Sequence, residues 1–456
     1  MALLKSPFPL TRWVCLVAIG LAGTAADASA QSLKDLYEAA RGYDAVYLAA
    51  RAQTESAQYR VEQVHALRRP SVGVTVSAGR QVSNNPASTA RYTAANSVGP
   101  TLQGQQSLFN RQNDKTIQQA DLSLDVARAQ LRAAEQDLIV QVSQAYFDVL
   151  AARDTLAALQ ANQKAISEQL ASAKRNFEVG TATITDTREA QARYDLSTAQ
   201  VLAAENDLRV KQAALDQRVG RPAVDPRPLA VSATLPQQPL DVERWLRDAE
   251  AESPTVQQAR VAYEVAKLET EKARAGHLPT VALTGSYGKA RIDADTRIDS
   301  GVGQPIQRSA EGTRTDASIG LALTVPLYQG GAIQNRVKET VQLEEKARDD
   351  FDNARRSVAL ATRQAFLGVQ SLRAQVSAYE AAEASSKLAL EATQLGYRVG
   401  VRVNLDVLNA QAQLTTTQQT LAKARYDTLV NGLKLRQAAG VLMPGDIDAV
   451  SALLVP

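Results

Sequence analysis

The feature that most constrains this chain is that it is written twice. The segment from Gln144 to Gly220 matches Gln364 to Gly440 without a gap, each pair standing 220 positions apart. Gln144-Ala145-Tyr146 matches Gln364-Ala365-Phe366, Phe177-Glu178-Val179-Gly180 matches Tyr397-Arg398-Val399-Gly400, and Asp186 matches Asp406. Nearer the N-terminus the spacing falls to 209, with Pro70 on Pro279, Val72 on Val281 and Gly79 on Gly288. The second copy therefore carries an insertion, and it falls between Gly288 and Ser318. A period this long is a duplicated domain rather than a solenoid array.

Both copies read in the same order. The first, 31–220, opens with a helix from Ser32 to about Leu67, where Ser32 and Asp35 resemble a capping box. The second, 241–440, opens at Asp241 after a Pro-rich linker, 221–240, and leaves a tail, 441–456. Then the period changes to two. Val72, Val74, Val76 and Ala78 alternate with Ser71, Gly73, Thr75 and Ser77, and Val281, Leu283 and Tyr287 repeat the apolar side. Polar stretches at 81–95 and 289–315 read as long exposed loops. Return strands follow: Ser97 to Phe109, and the sharper alternation of Ala317, Ile319, Leu321, Leu323 and Val325. Each copy thus has a β-hairpin, 71–109 or 280–328, and a long helical hairpin, 111–220 or 332–440.

The helical part is unusually long. Ile117, Ala120, Leu124, Ala127, Leu131, Ala134 and Leu138 step by alternating threes and fours, which is a coiled-coil seam. Val142, Ala145, Val149, Ala152, Leu156 and Leu159 continue it after two consecutive fours, a stutter that locally unwinds a left-handed supercoil and lets helices run nearly straight. No proline interrupts Arg111 to Val179, so the pattern predicts a rod on the order of 100 Å long. It breaks at Gly180 or Gly400, where glycine permits the positive φ of a tight reversal, and returns to Gly220 or Gly440.

Composition narrows the setting. Lys and Arg number 51 against 48 Asp and Glu, a net of +3, so no strong field exists to gather nucleic acid. Residues 1–30 have the form of a secretory signal peptide: Lys5 and Arg12, an apolar stretch from Trp13 to Ala26, and Ala28-Ser29-Ala30 before Gln31. The single cysteine, Cys15, falls inside it, too early and without a small-residue box to be an acylated N-terminus. Disulfides and thiolate metal sites are not expected. Beyond the leader no run of about 18 apolar residues occurs, so a membrane crossing would require a closed β-barrel.

Four strands cannot close a barrel, and open sheet edges cannot sit in lipid. Two chains would supply about eight strands with a filled interior, three about twelve with a lumen. The polar strand face, Ser71, Thr75, Ser77, Thr284, Ser286, Ser318 and Thr324, suits a water-filled lumen and favours three; a soluble half-buried sheet shows the same alternation.

The leader, the duplicated plan, the strand exit Val325-Pro326-Leu327-Tyr328-Gln329-Gly330-Gly331 and the turns 177–186 and 397–407 together resemble the TolC family of outer-membrane export ducts, over essentially the whole mature chain. The resemblance implies a mainly α chain with a small β part. It implies a homotrimer whose 12-stranded outer-membrane β-barrel continues as an α-helical barrel through the periplasm. A periplasmic adaptor, or membrane fusion, protein and an inner-membrane ABC or proton-driven pump would dock at the far end. No cofactor is expected, and the absent acylation cysteine points to the non-lipidated branch that serves type I secretion and drug export.

By the same resemblance, the periplasmic tip is a gate. Asp186 would bond Arg402 and Tyr397, and Asp406 would line the aperture as an acidic ring that selects cations; the family's second acidic position is here Asn409, which should weaken block by cations. The tip turns Val179, Gly180, Thr181 and Val399, Gly400, Val401 would meet the adaptor. Independently of any family, Asp186 and Asp406 also suit a helix N-terminus by charge alone. Pro326 cannot donate to a ladder and ends strand pairing, and Gly330-Gly331 lets the chain turn from barrel to rod; the first copy, Ser107-Leu108-Phe109-Asn110-Arg111, lacks both devices. Phe109 and Tyr328 occupy equivalent places and suit either an interfacial anchor or ordinary packing.

An enzyme is not expected. His65 and His277 are the only histidines, they are not repeat equivalents, and no phosphate loop, nucleophile elbow or metal-ligand cluster accompanies them. The competing readings are a periplasmic coiled-coil adaptor or structural tether without a pore, and a gated open porin. Two matched β-hairpins beside two matched coiled hairpins favour the duct.

Overall fold

The computed structural model describes residues 31–230, 241–299 and 303–455. The leader 1–30 and the linker segment 231–240 lie outside them. Among the described residues the first copy comprises α1 (Leu33–Arg41), α2 (Ala45–His65), β1 (Ser71–Asn84), β2 (Ala90–Phe109), α3 (Arg111–Glu178) and α4 (Ile184–Val219). The second comprises α5 (Val242–Glu252), α6 (Pro254–Arg274), β3 (Thr280–Ile298), β4 (Ile306–Thr324), α7 (Ala332–Arg398) and α8 (Asn404–Ala438), followed by a short α9 (Gly445–Ser451). The rods α3 and α7 run 68 and 67 residues, about 100 Å each. No helix among the described residues is long and apolar enough to cross a membrane.

Two expectations need correction. The opening helix is not continuous from Ser32 to Leu67: α1 ends at Gly42 and Asp44 caps a second helix by accepting from the Tyr47 N–H at 2.8 Å. The second copy breaks at the equivalent point, where Pro254 cannot supply the N–H that would continue α5. The stretches 81–95 and 289–315 are mostly strand rather than loop. β1 runs on to Asn84, β2 begins at Ala90 rather than Ser97, and β3 and β4 pair from Thr280↔Thr324 as far as Ile298↔Ile306. Charged side chains bridge the two strands there, as in Arg291–Glu311 at 3.0 Å.

The four strands form one antiparallel sheet in the order β1-β2-β3-β4. The middle pairing, β2 with β3, joins the hairpins of the two copies. Register places Val72, Gly104, Gly285 and Ile319 in one cross-strand row, and Val74, Leu102, Tyr287 and Ala317 in the next row on the same face. The intervening row, Gly73, Gln103, Ser286 and Ser318, points to the other face, where the Ser286 and Ser318 hydroxyls meet at 2.8 Å. One face is therefore apolar and the other polar across all four strands.

The apolar band is slanted. On β1 it occupies Val72 to Ala78; on β4 it occupies Ala317 to Leu323, although Val72 lies in the row of Ile319. It drops four residues over three strand steps, about 13 Å against about 14 Å, a slant on the order of 40°. That matches the strand tilt of a closed membrane barrel. Above the band the same face changes character: Tyr287 is followed at alternate positions by Lys289, Arg291, Asp293, Asp295 and Arg297.

The helices continue the order of the strands. Beneath the sheet α3 lies between α2 and α6, and α6 packs on α7; further down α3 packs on α4 and α8, and α7 on α8. Glu269 of α6 ties three of these helices together, accepting from Gln119 of α3 at 3.0 Å and from Arg336 of α7 at 2.8 Å. Midway along the rods lies the main core. Leu33, Leu36 and Tyr37 of α1, Ile139 to Leu150 of α3, Leu215 and Val219 of α4, Leu429 to Leu433 of α8, and Ile447 and Val450 of α9 meet there. Tyr146 is wholly buried in it and donates to the Arg227 carbonyl at 2.8 Å.

Candidate functional site: the helical tip

At the far end of the rods each copy reverses direction in the same way. In the first, the Thr181 and Ala182 N–H groups return to the Asn176 carbonyl at 2.8 and 3.2 Å, and Gly180 adopts φ +77°. In the second, the Val401 and Arg402 N–H groups return to the Gly396 carbonyl at 2.9 and 3.2 Å, with Gly400 at φ +81°. These bonds satisfy carbonyls that a helix end otherwise leaves open. Val179, Val399 and Val401 are 73%, 66% and 76% exposed, an apolar rim at the extreme of the molecule.

The next helices start differently, and the difference bears on the two aspartates. Thr183 caps α4 through a complete box: its hydroxyl accepts from the Asp186 N–H at 3.2 Å and bonds the Asp186 carboxylate at 2.7 Å, and its own N–H donates to that carboxylate at 3.0 Å. Asp186 is thus engaged within its own turn. Val403 stands in the cap position of α8 and has no side-chain acceptor. Its N–H reaches the Asp406 carboxylate only at a long 3.5 Å, which leaves that carboxylate for Arg402 at 3.6 Å.

Within one chain, then, Arg402 pairs with Asp406 rather than Asp186, and the Tyr397 hydroxyl accepts from Asn176 at 3.4 Å. Asp186, Tyr397 and Arg402 are brought to one end of the molecule but are not bonded to one another inside a chain. Three polar links do join the copies at this end: Asn176 to Tyr397, the Gln169 amide to the Asn404 carbonyl oxygen, and Arg193 to the Asn409 carbonyl oxygen at 3.0 Å. Sequence reading found Tyr397 and Asn409 and missed Asn176, Gln169, Arg193 and Asn404, which are polar residues with no periodic signal. Beneath the links Ile166, Leu170, Ala173, Ala190 and Leu408 form a small core, so α8 sits on the α3–α4 hairpin by apolar contact as well.

At the other end of α7, Gly330 and Gly331 take φ of +59° and +82°, and Pro326 follows the last paired residue, Thr324. The first copy makes its strand-to-helix turn in a single residue: Asn110 caps α3, accepting from the Gln112 and Asn113 N–H groups at 3.0 and 3.2 Å. His65 pairs with Asp121 at 3.0 Å on the surface.

A slanted lipid-type band on a four-stranded sheet, continued by paired rods that close at a reversing tip, is the architecture of a duct-forming chain. Comparison with known proteins agrees. The family described as outer membrane efflux protein matches residues 36–221 and 245–441. Outer membrane protein TolC of Vibrio cholerae is 32% identical over 93% of this chain and 94% of its own. The alkaline protease secretion protein AprF of Pseudomonas aeruginosa is also 32% identical, over 94% of this chain and 88% of its own. The crystal structure of the Campylobacter jejuni CmeC outer membrane channel superposes with a TM-score of 0.76 at 16% identity, covering 99% of this chain and 98% of that one. This chain belongs to the outer membrane efflux protein family. It is an outer-membrane export channel with a long periplasmic extension, and the reading as a tether without a pore finds no support. The family is one of channels rather than enzymes.

Proposed function

We propose that three copies close a continuous duct, that a periplasmic adaptor and an inner-membrane ABC or proton-driven pump open its tip, and that secreted protein, small molecules or both pass through it. The observation that carries the trimer is an unfilled equivalence between the two copies. In the chain, α3 of the first copy presents Gln144, Phe147, Ala151 and Asp154 to α8 of the second. The equivalent line on α7, Leu360, Gln364, Leu367, Ser371, Ala374, Ala378, Ala381, Ser385, Leu388, Ala392 and Leu395, keeps a strict heptad rhythm and is exposed throughout. A coiled-coil seam with nothing against it wants α4 of another chain, where Leu196, Leu202 and Val210 lie exposed. The sheet edges β1 and β4 are free in the same sense. A head-to-tail contact of this kind makes a ring where its rotation closes, and twelve strands from three chains would enclose a lumen.

Cargo follows by likeness alone: AprF is named for the secretion of alkaline protease, and CmeC for an outer membrane channel. The gate is read as interchain bonding of Asp186 to Tyr397 and Arg402, with Asp406 at the aperture, and the valine rim as the adaptor contact; the exposure of Val179, Val399 and Val401 supports the last.

The test is single-channel conductance of the purified oligomer in a planar bilayer, wild type against Tyr397→Phe, Arg402→Ser. A small conductance that rises sharply in the variant is expected. Equal conductances would remove the gate assignment while keeping the duct, and a folded oligomer that never conducts would sink the duct itself.

A further inference from the structure

We propose that Arg193 sets both the charge and the closure of the tip aperture by holding Asn409. The inference rests on the duct reading, in which α8 lines the aperture.

Arg193 stands two turns into α4, and its Nη2 donates to Asn409 Oδ1 of α8 at 3.0 Å. The bond crosses between the copies, so α8 cannot move outward from α4 without breaking it. It is also not something the duplication supplies. The repeat equivalent of Arg193 is Gln413, and that of Asn409 is Glu189. The first copy thus has two charged residues four positions apart on α4, Glu189 and Arg193, where the second has two amides, and the structure bonds the cation of one copy to the amide of the other.

The choice of an amide has an electrostatic consequence. A carboxylate at 409 would cancel the guanidinium that binds it; an amide oxygen accepts the hydrogen bond and leaves the charge whole. By three-fold symmetry three uncancelled positive charges stand one turn from the Asp406 ring. Asp406 is itself shared with Arg402 at 3.6 Å. The nearest carboxylates along α4 are Glu189, one turn before Arg193, and Asp195, which accepts from Gln191 at 2.9 Å. A ring that carried acidic residues alone would trap polyvalent cations; this one carries its own counter-charge. The aperture therefore conducts with weak selectivity and gives polyvalent cations little hold.

The experiment compares wild type, Arg193→Gln, Asn409→Asp and the double variant in planar bilayers, each first shown to be the same oligomer by gel filtration. Arg193→Gln should shift the reversal potential toward cations, by about two- to threefold in permeability ratio at 0.1 M salt and less at 1 M, where screening shortens to a few ångströms. Asn409→Asp alone should lower conductance, since an ion pair replaces a hydrogen bond, and should gain little block by La3+. The double variant should be blocked by La3+ at the lowest concentration, and this failure of additivity is the signature of the pair. An unchanged reversal potential in Arg193→Gln, or equal block in Asn409→Asp with and without Arg193, would overturn the proposal while leaving the duct intact. Absence of conductance in all four would overturn the duct reading and this inference with it.

Discussion

Phe147 of the first copy and Tyr426 of the second stack with ring centroids 5.7 Å apart and planes inclined by 25°, and the Tyr426 hydroxyl donates to Asp154 at 2.6 Å. This contact joins the two duplicated halves midway along the rods. Phe147 is 1% exposed and sits against Tyr146, which meets it edge-on at 5.4 Å. Burial and the Asp154 carboxylate together push the Tyr426 hydroxyl well above the ordinary tyrosine range, so it stays a donor at any working pH.

From that geometry the two aromatic residues should differ in their cost. Phe147→Ala leaves a cavity in the main core and should destabilise the protein by about 3–5 kcal/mol. Tyr426→Phe keeps the stack and loses one hydrogen bond to a carboxylate that water can still reach, about 1 kcal/mol. Chemical unfolding in detergent, followed by circular dichroism, measures both. Equal losses would mean that the Asp154 bond rather than the packing holds the halves together.

The Glu269 network predicts an acid limit. Burial alone would raise this carboxyl, but donation from Gln119, Arg336 and Lys272 outweighs it and holds the group at about 2. A group depressed in the folded state contributes stability that is fully present above its unfolded value, near 4.5, and is lost as pH falls toward 2. Wild type should therefore lose thermal stability between about pH 5 and pH 2 more steeply than Glu269→Gln, which has no such proton to take up. Parallel curves for the two proteins would show that α3, α6 and α7 do not depend on this carboxylate.

How much of this was legible in sequence depends on whether a residue's role is periodic. The duplication, the seam from Ile117 to Leu159 and the alternation from Val72 to Ala78 repeat at fixed spacing, and the elements carrying them stand where the patterns put them. The strand extensions differ from the expected loops because their pattern is of another kind. From Lys289 to Arg297 charged residues alternate with small or apolar ones, as strands do, yet the stretch is polar enough to look like loop. Once a strand leaves lipid, its outer face faces water and ladder bonds alone keep it extended. The links Gln169–Asn404 and Arg193–Asn409 gave no signal at all, because they join polar residues more than 200 positions apart, and only the packing of α8 on the first hairpin brings them together.

Two glycines with the same backbone should respond differently to alanine. Gly400 and Gly440 both have positive φ, +81° and +74°. A Cβ on Gly400 meets open space, whereas one on Gly440 would lie 2.5 Å from the backbone of Glu252 and Ser253. Gly400→Ala should cost about 1–2 kcal/mol, the strain of a left-handed alanine. Gly440→Ala adds an overlap with main-chain atoms that cannot rotate aside, so its thermal unfolding should fall considerably further. A similar loss in both would mean that α5 and α6 can shift away from the end of α8.

The cross-strand rows make the sharpest test of which face meets lipid. Ile319 and Ser318 are neighbours on β4, so their side chains point to opposite faces. Ile319 shares its row with Val72, Gly104 and Gly285; Ser318 shares the next with Gly73, Gln103 and Ser286. Arginine at 319 would place a charge in the apolar band, at about 2–4 kcal/mol if the site lies near the bilayer midplane. Arginine at 318 would point into a polar lumen, where water keeps it solvated, and would be felt as charge by passing ions. Ile319→Arg should therefore reduce assembly into lipid vesicles while Ser318→Arg assembles normally and shifts ion selectivity toward anions. If the two exchange effects, the sheet is turned inside out relative to the slanted band; if neither matters, the four strands do not reside in the membrane.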